Sequence, residues 1–423
     1  MRMKSQFVWV AFGVTSALCA SSAIAQEEDG YFERLEVTPL SEQANPEVDP
    51  KPIPSDGFLF QPELVFSVGR NSNVLASELN EVEDSFVGFK PSLAVASDWS
   101  RHELSGSFGV DHVEFGELER ESRTDLEVKL RGRLDVGEKS HVFVAVVNED
   151  KTEDRTSIAA LPNASEPNEF TRSGAEFGFV SEIDRISLEA AIALDSFDYD
   201  DVELPGDLIQ DQDFRDHEEL KGSARLAFAA SRDVAFYTDI EAVQSYYDDP
   251  NVFNPFERDY TGVTLLVGTD FALGNTISGD IGIGYLSYTY DYEFFEDISD
   301  IAFTGHLDWQ VADQTTLSLA ADRAIIDPGV IASNAAIQTD AGLRVEQGLT
   351  SKFSVAGEAG FTQYTFESID RDDDRIDVGV NALWKLNRSV CSMKSYPPSN
   401  QTLRLSFQSA LTPTSMRSSS RSI

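Results

Sequence analysis

The sequence predicts an all-β chain, an antiparallel transmembrane β-barrel with about sixteen visible strands. Three observations predict it. Runs of ten to fourteen residues alternate apolar and polar side chains. Short turns and long polar loops join these runs in strict alternation. A secretion leader precedes them all.

The leader comes first in the chain. Arg2 and Lys4 form a basic start, Phe7 to Leu18 is an apolar core, and Ala23-Ile24-Ala25 fits a small-residue cleavage site before Gln26. Leu18 stands where a lipoprotein signal would place a small residue before Cys19. The chain has 33 basic and 73 acidic residues. Residues 1–25 hold two basic and no acidic residues, so the remainder carries a net charge of −42. That balance argues against nucleic acid as a partner, because phosphate binding needs a basic face. After the leader no stretch reaches the eighteen apolar residues of a transmembrane helix. Only Cys391 remains there, which leaves neither an intramolecular disulfide nor a cysteine metal site.

Residues 26–57 are acidic and carry Pro39, Pro46, Pro50, Pro52 and Pro54. They read as an extended or disordered lead-in. The first barrel strand opens at Phe58. In the second run, Val87, Phe89, Pro91, Leu93 and Val95 share one face, and Gly88, Lys90, Ser92, Ala94 and Ala96 share the other. Further on, Leu126, Val128, Leu130 and Leu134 oppose Glu127, Lys129, Arg131, Arg133 and Asp135. Ile376, Val378 and Val380 oppose Asp377 and Gly379. Successive side chains of a strand point to opposite faces, so each run has an oily face and a wet face. In 277–290 the apolar parity changes after Tyr285, from Ile281 and Ile283 to Leu286, Tyr288 and Tyr290. A bulge is expected there.

Tight turns fall at Asp98–Arg101, Gly137–Lys139, Asp184-Arg185, Ser231–Asp233, Gly274–Thr276, Asp313–Thr315, Thr350–Lys352 and Asn387–Ser389. The long connectors are 70–83, 117–122, 151–171, 198–216, 246–257, 291–297, 324–335 and 366–373, rich in acidic residues, Asn and Pro. Short turns at one end and long loops at the other mark an outer-membrane barrel. Each run matches the ~9–11 residues that cross a bilayer at a tilt. Backbone groups in lipid must all be paired, which calls for a closed sheet. Phe58, Trp99, Tyr237, Tyr246, Tyr260, Trp309 and Trp384 lie near strand ends, as interfacial girdles do. Such a barrel has outer-membrane lipid, lipopolysaccharide and the barrel-assembly machinery as partners. A soluble secreted β-protein is the competing reading. It gives no reason for the segregated loop lengths.

The stretch Phe60-Gln61-Pro62-Glu63-Leu64, then Arg70-Asn71-Ser72-Asn73-Val74, then Lys90-Pro91-Ser92-Leu93 with Ser97-Asp98-Trp99-Ser100-Arg101-His102, resembles a β-barrel porin family found beside exopolysaccharide and capsule synthesis genes. The resemblance implies an outer-membrane barrel linked to export or surface display of polysaccharide, with polysaccharide-export components as partners. The end of the chain departs from the pattern. Such barrels close on a strand ending in an aromatic residue, whereas this one ends Ser420-Arg421-Ser422-Ile423. Arg388, Lys394, Arg404, Arg417 and Arg421 stand in that tail with no acidic residue. Two readings stay open: a genuine basic tail, or a shift of reading frame near Val390 that replaces the last two strands of an eighteen-strand barrel. The chain thus divides into a signal peptide (1–25), the lead-in (26–57), the barrel (58–386) and an atypical basic, serine-rich tail (387–423).

No catalytic, cofactor or metal residues are assigned. The five histidines fit no hydrolase motif, and His306 beside Asp308 is the nearest approach to a base with its orienter. The acidic runs Asp198–Asp201 and Asp372–Asp374 are placed in outer loops as solvated segments rather than calcium sites. The candidate functional set is the wet face: Lys129, Arg131, Arg133, Lys221, Arg225, Asp239, Glu241, Asp308, Arg344, Glu346, Glu358, Asp377 and Lys385. Mixed signs there fit either a selective polar pore or a plugged, salt-bridged interior. The functional expectation is a porin-like barrel for polysaccharide export or hydrophilic solutes. The alternative is a plugged adhesive barrel whose acidic loops bind divalent cations.

Overall fold

The structure, a computed structural model, describes residues 31–32, 36–40, 43, 45, 51–77, 81–161, 163–248, 256–331, 333–385, 393–395 and 403–405. The leader, Cys391 and most of the tail lie outside the described residues. Sixteen long strands dominate the fold: β1 (Phe58–Asn71), β2 (Asp84–Ser97), β3 (Glu103–Phe115), β4 (Arg123–Asp135), β5 (Ser140–Thr152), β6 (Glu169–Ile183), β7 (Ile186–Tyr199), β8 (His217–Ala229), β9 (Val234–Tyr247), β10 (Tyr260–Leu273), β11 (Ile277–Tyr290), β12 (Ile298–Ala312), β13 (Thr315–Ile326), β14 (Ala336–Thr350), β15 (Phe353–Phe366) and β16 (Asp372–Trp384). Each pairs antiparallel with the next, an up-and-down meander.

The faces follow the sequence pattern. Leu64, Phe66, Val68, Val128, Leu130, Val144, Phe177, Ile192, Leu226, Val267, Ile283 and Val378 are all exposed on the outer face. An apolar belt of this extent on a soluble protein would be an aggregation surface. In a bilayer it is the lipid contact. The inner face carries Phe143, Arg172, Asp195, Glu219, Tyr237, Asp308 and Glu346, all buried.

The sheet curls on itself. The β5–β6 loop (153–168) and the β13–β14 loop (327–335) are eight strands apart, yet a Cβ at Gly329 would stand only 2.5 Å from the Ala159 side chain. Gly329 also has φ +62°, a left-handed conformation that glycine adopts without strain. The expected bulge in 277–290 is absent. The ladders on both sides of β11 run without a register shift. Leu286 and Tyr290 are buried inside the barrel, and Tyr288 packs beside Tyr290. The parity change is therefore a patch of apolar lumen wall rather than a shift in pleat. Bulges fall instead at Gln310/Ala312 and Gly348/Thr350.

At one edge, Ile53–Ser55 turns through Asp56 and Gly57 to pair with the start of β1. At the other, Met393–Ser395 and Leu403–Leu405 both pair antiparallel with β16, through Trp384↔Met393 and Ile376↔Leu403. They stand where a seventeenth strand would, in registers that differ by two residues. The sequence between them contains Pro397 and Pro398, which lack the N–H that a ladder needs. Among the described residues no ladder joins β1 to this edge.

Candidate functional site: the lumen and its outer mouth

The tight turns put all short connections at one end of the barrel and all long loops at the other. The long loops fold inward over the mouth. Arg215, in the β7–β8 loop (200–216), is 4% exposed. Its two terminal nitrogens donate to both oxygens of Glu153 at 2.8 and 3.0 Å, and its guanidinium lies 3.9 Å from the centre of the Tyr199 ring. Arg155 grips Glu121 of the β3–β4 connector in the same two-pronged way, at 2.6 and 3.0 Å. Arg258, just before β10, donates to Asp327 at 2.6 Å and to the Val330 carbonyl at 3.1 Å. The Tyr247 hydroxyl donates to the other oxygen of Asp327 at 2.8 Å. His217 stacks between the rings of Phe197 and Tyr247, at 4.6 and 4.7 Å. Planar guanidinium–carboxylate forks fix orientation as well as distance, so five loops are held in one arrangement.

Beneath this lid the lumen has two kinds of wall. On the β10–β14 side, Tyr290, Phe295, Ile298, Ala335 and Ile337 form an apolar cluster, with Tyr260 and Tyr288 packed against it. On the β4–β9 side the wall is charged. Arg172 donates to Glu149 at 3.0 Å and to Asp195 at 2.7 Å, and all three are buried. Glu219 accepts from Lys221 at 2.5 Å and from the Tyr260 hydroxyl at 2.9 Å.

The predicted lumen set lies along these walls. Lys129 bridges Glu127 at 3.0 Å and Glu149 at 3.7 Å, yet remains 47% exposed. Arg131 sits 3.9 Å over the Phe143 ring. Arg133 pairs with Glu103 and Asp135. Arg225 forks onto Asp239 at 2.7 Å twice and lies over Tyr237. Arg344 contacts Glu358 and reaches Glu346 at 3.8 Å. Asp377 accepts from Arg375 at 2.8 Å. Glu241 faces inward and is exposed. Lys385 lies just past β16 at the turn end, where its amine donates to the Gln43 carbonyl at 3.2 Å. Asp308 lies between His306, at 3.3 Å, and Ser318, whose hydroxyl donates to it. Activation of a serine needs the imidazole beside the hydroxyl. Here the carboxylate takes that place, as in a polar wall.

Two expectations need correction. Tyr237 and Tyr260 are not interfacial girdle residues. Tyr237 shares the inward parity of Asp239, and Tyr260 packs on the apolar wall. Trp99, Trp309 and Trp384 do point outward at the turn end, and Tyr246 does so at the loop end. The acidic runs also lie partly on strands: Asp198 and Tyr199 end β7, and Asp372 to Asp374 open β16. Asp201 instead comes together with Asp211 and Asp213, their carboxylate oxygens within 4.8 Å of one another.

Arg155, Arg172, Arg215, Arg258, Glu121, Glu149, Glu153, Asp195 and Asp327 were not singled out in the sequence. Arg172, Glu149 and Asp195 carry inward parity, which was a usable signal. The loop residues lie in stretches without periodicity, and only folded loops bring them together.

Protonation adds a bias. Burial, together with the neighbouring Asp198, Asp213 and Asp248, pushes the Asp216 carboxyl up to about 7, against a lowering bond from the Tyr199 N–H. A raised carboxyl contributes stability to the folded lid that is fully present below its ordinary value and is lost as pH rises through about 7. Burial alone would raise Asp327, but Arg258 and the Gly329 N–H outweigh it and hold its pKa below the ordinary value. Its contribution therefore persists through the same window. Acidification from pH 8 to 5 is expected to raise the protection factors of 200–216, over and above the slowing of intrinsic exchange. An Asp216→Asn variant should show the high protection factors at both pH values.

Among curated proteins none matches this chain. Solved structures similar to it include the FrpB iron transporter from Neisseria meningitidis (F3-3 variant), at 8% identity and a TM-score of 0.43, covering 77% of this chain and 59% of that one. Another is the siderophore receptor PirA from Acinetobacter baumannii, at 7% identity and 0.45, covering 81% and 63%. The copper transporter OprC matches at 11% and 0.44, covering 77% and 64%. The chain spans about three-fifths of the length of these structures. Residues 45–407 match the model of the family described as "Putative beta-barrel porin 2". The match takes in every strand described above, and the chain belongs to this family of outer-membrane β-barrel porins.

Proposed function

We propose that this barrel passes small hydrophilic solutes across the outer membrane, cations in preference to anions, through a lumen whose outer mouth is held by an ion-paired lid. One observation carries the reading. Glu63, Glu189 and Glu241 face the lumen and are exposed, and among the described residues none has an ion-pair partner. Lys129, Arg133, Lys221, Arg225 and Arg344 each have a carboxylate beside them, and Arg131, which lies over the Phe143 ring instead, is outnumbered by these three carboxylates. Uncompensated charge of one sign on a pore wall concentrates the opposite ion. A sixteen-strand barrel is also wide enough for an aqueous channel. Purified protein in planar bilayers should show discrete conductance steps; a folded barrel that stays silent both intact and without residues 26–50 would reject the reading. Replacing Glu63, Glu189 and Glu241 together with glutamine is expected to reduce cation preference several-fold and leave folding unchanged, as read from ion selectivity.

The finer form of the proposal is passage of an exopolysaccharide, or service to its export components. It is supported by the resemblance of the Phe60–His102 stretch to barrels found beside such synthesis genes. Unaltered surface polysaccharide in a strain lacking the chain would remove it. The second reading, a plugged surface barrel, is favoured by the buried lid pairs and the Asp201, Asp211 and Asp213 group. Loop deletions that leave surface attachment and envelope integrity unchanged would count against it.

A further inference from the structure

The lead-in was expected to be extended or disordered, and its described residues meet the barrel at five places, all at the turn end. The Tyr31 hydroxyl accepts from Arg185, in the β6–β7 turn, at 3.2 Å, and the guanidinium lies 4.8 Å from that ring's centre. The Val37 N–H donates to the Ser278 hydroxyl of β11 at 2.8 Å, and Val37 is buried. Leu40 lies beside Gly348 of β14, where a Cβ would stand 3.5 Å from its side chain. The Gln43 carbonyl accepts from Lys385, and the Asn45 amide donates to the Ser351 carbonyl of the β14–β15 turn at 2.8 Å.

We propose that the described residues of 31–45 belong to a strap inside the periplasmic mouth of the barrel, which restricts passage until it is displaced. Its anchors fall in order round the rim, from the β6–β7 turn through β11 and β14 to the end of β16, so the segment lines the mouth from inside over more than half of the circumference. Ser278 lies on the inward face, sharing parity with Asp280 and Leu286, which places Val37 inside the rim. The reach suffices. Twelve residues extend to about 40 Å, and a sixteen-strand barrel is roughly 30 Å across, given its strand spacing and tilt. The hairpin of Ile53–Ser55 with β1 fixes the C-terminal side of the strap to the wall. The anchors described are hydrogen bonds, one stacked cation and an apolar contact rather than a sheet ladder, so the strap can peel away while the barrel stays folded. At the opposite end, by contrast, the loops that narrow the mouth are fixed to one another by buried ion pairs.

The strap rests on the passage reading, and one comparison separates the two. Full-length protein and a variant lacking residues 26–50 behind its own leader are measured in the same bilayers. The strap predicts several-fold higher mean current for the deletion. Equal currents overturn the strap and leave the passage reading standing. Silence of both overturns both. A second measurement does not depend on the deletion folding. Amides of 36–40 should exchange slowly in the full-length protein and at least several-fold faster in Ser278→Ala. Fast exchange at Val37 in the unmodified protein would overturn the docking itself.

Discussion

Replacing Arg215 with alanine is expected to loosen the loops that narrow the outer mouth. The substitution leaves Glu153 buried without its fork and removes the cation that covers Tyr199. Deleting one member of a buried pair typically costs about 3–5 kcal/mol, because the other charge stays desolvated and unpaired. That cost falls on the lid rather than the strands, since Glu153 and Arg215 both lie in loops. Expected results are rapid hydrogen exchange and protease cleavage in 153–161 and 200–216, with an undisturbed barrel melt. Lysine at the same position should recover only part of the protection, because an ammonium cannot fork onto both oxygens. A lid that stays protected in Arg215→Ala would show that the pair does not hold these loops.

Arg172→Ala is expected to weaken the barrel itself. Arg172 sits between Glu149 and Asp195 on three adjacent strands, and its loss leaves two buried carboxylates side by side. The expected penalty is again about 3–5 kcal/mol, here on global unfolding by urea in detergent or lipid. Gly174 leaves little room for relaxation. A Cβ there would stand 2.5 Å from an Asp195 oxygen and 2.9 Å from Val147. Replacing all three charges at once, as Glu149→Gln, Arg172→Met and Asp195→Asn, should cost far less than the single change, because no charge is left stranded. Equal losses from the single and triple variants would refute the stranded-charge account.

The barrel was legible in the sequence because the pleat writes it there. Val128 and Leu130 against Lys129 and Arg131 fix faces, and Asp184-Arg185 against 198–216 fixes ends. Where that code failed, the physics was tertiary. Leu286, Tyr288 and Tyr290 look like a register error in one dimension. In three, they line an apolar lumen wall with Phe295 and Ile337. Tyr237 and Tyr260 looked interfacial by position, but their parity already placed them inward. The lid was not legible, because Glu153, Arg215, Arg258 and Asp327 lie in loops whose sequence has no period. Their pairing depends on the sheet curling far enough to bring loops from opposite walls together. The strap was hidden for a related reason. An acidic, proline-bearing segment reads as unstructured until a rim offers Ser278 and Arg185 to hold it.

The zero-current potential of the intact protein in a planar bilayer, under an asymmetric potassium chloride gradient, tests the central claim most directly. The surplus carboxylates Glu63, Glu189 and Glu241 predict a potential of the sign set by potassium. A potential of the sign set by chloride would contradict a cation-preferring lumen.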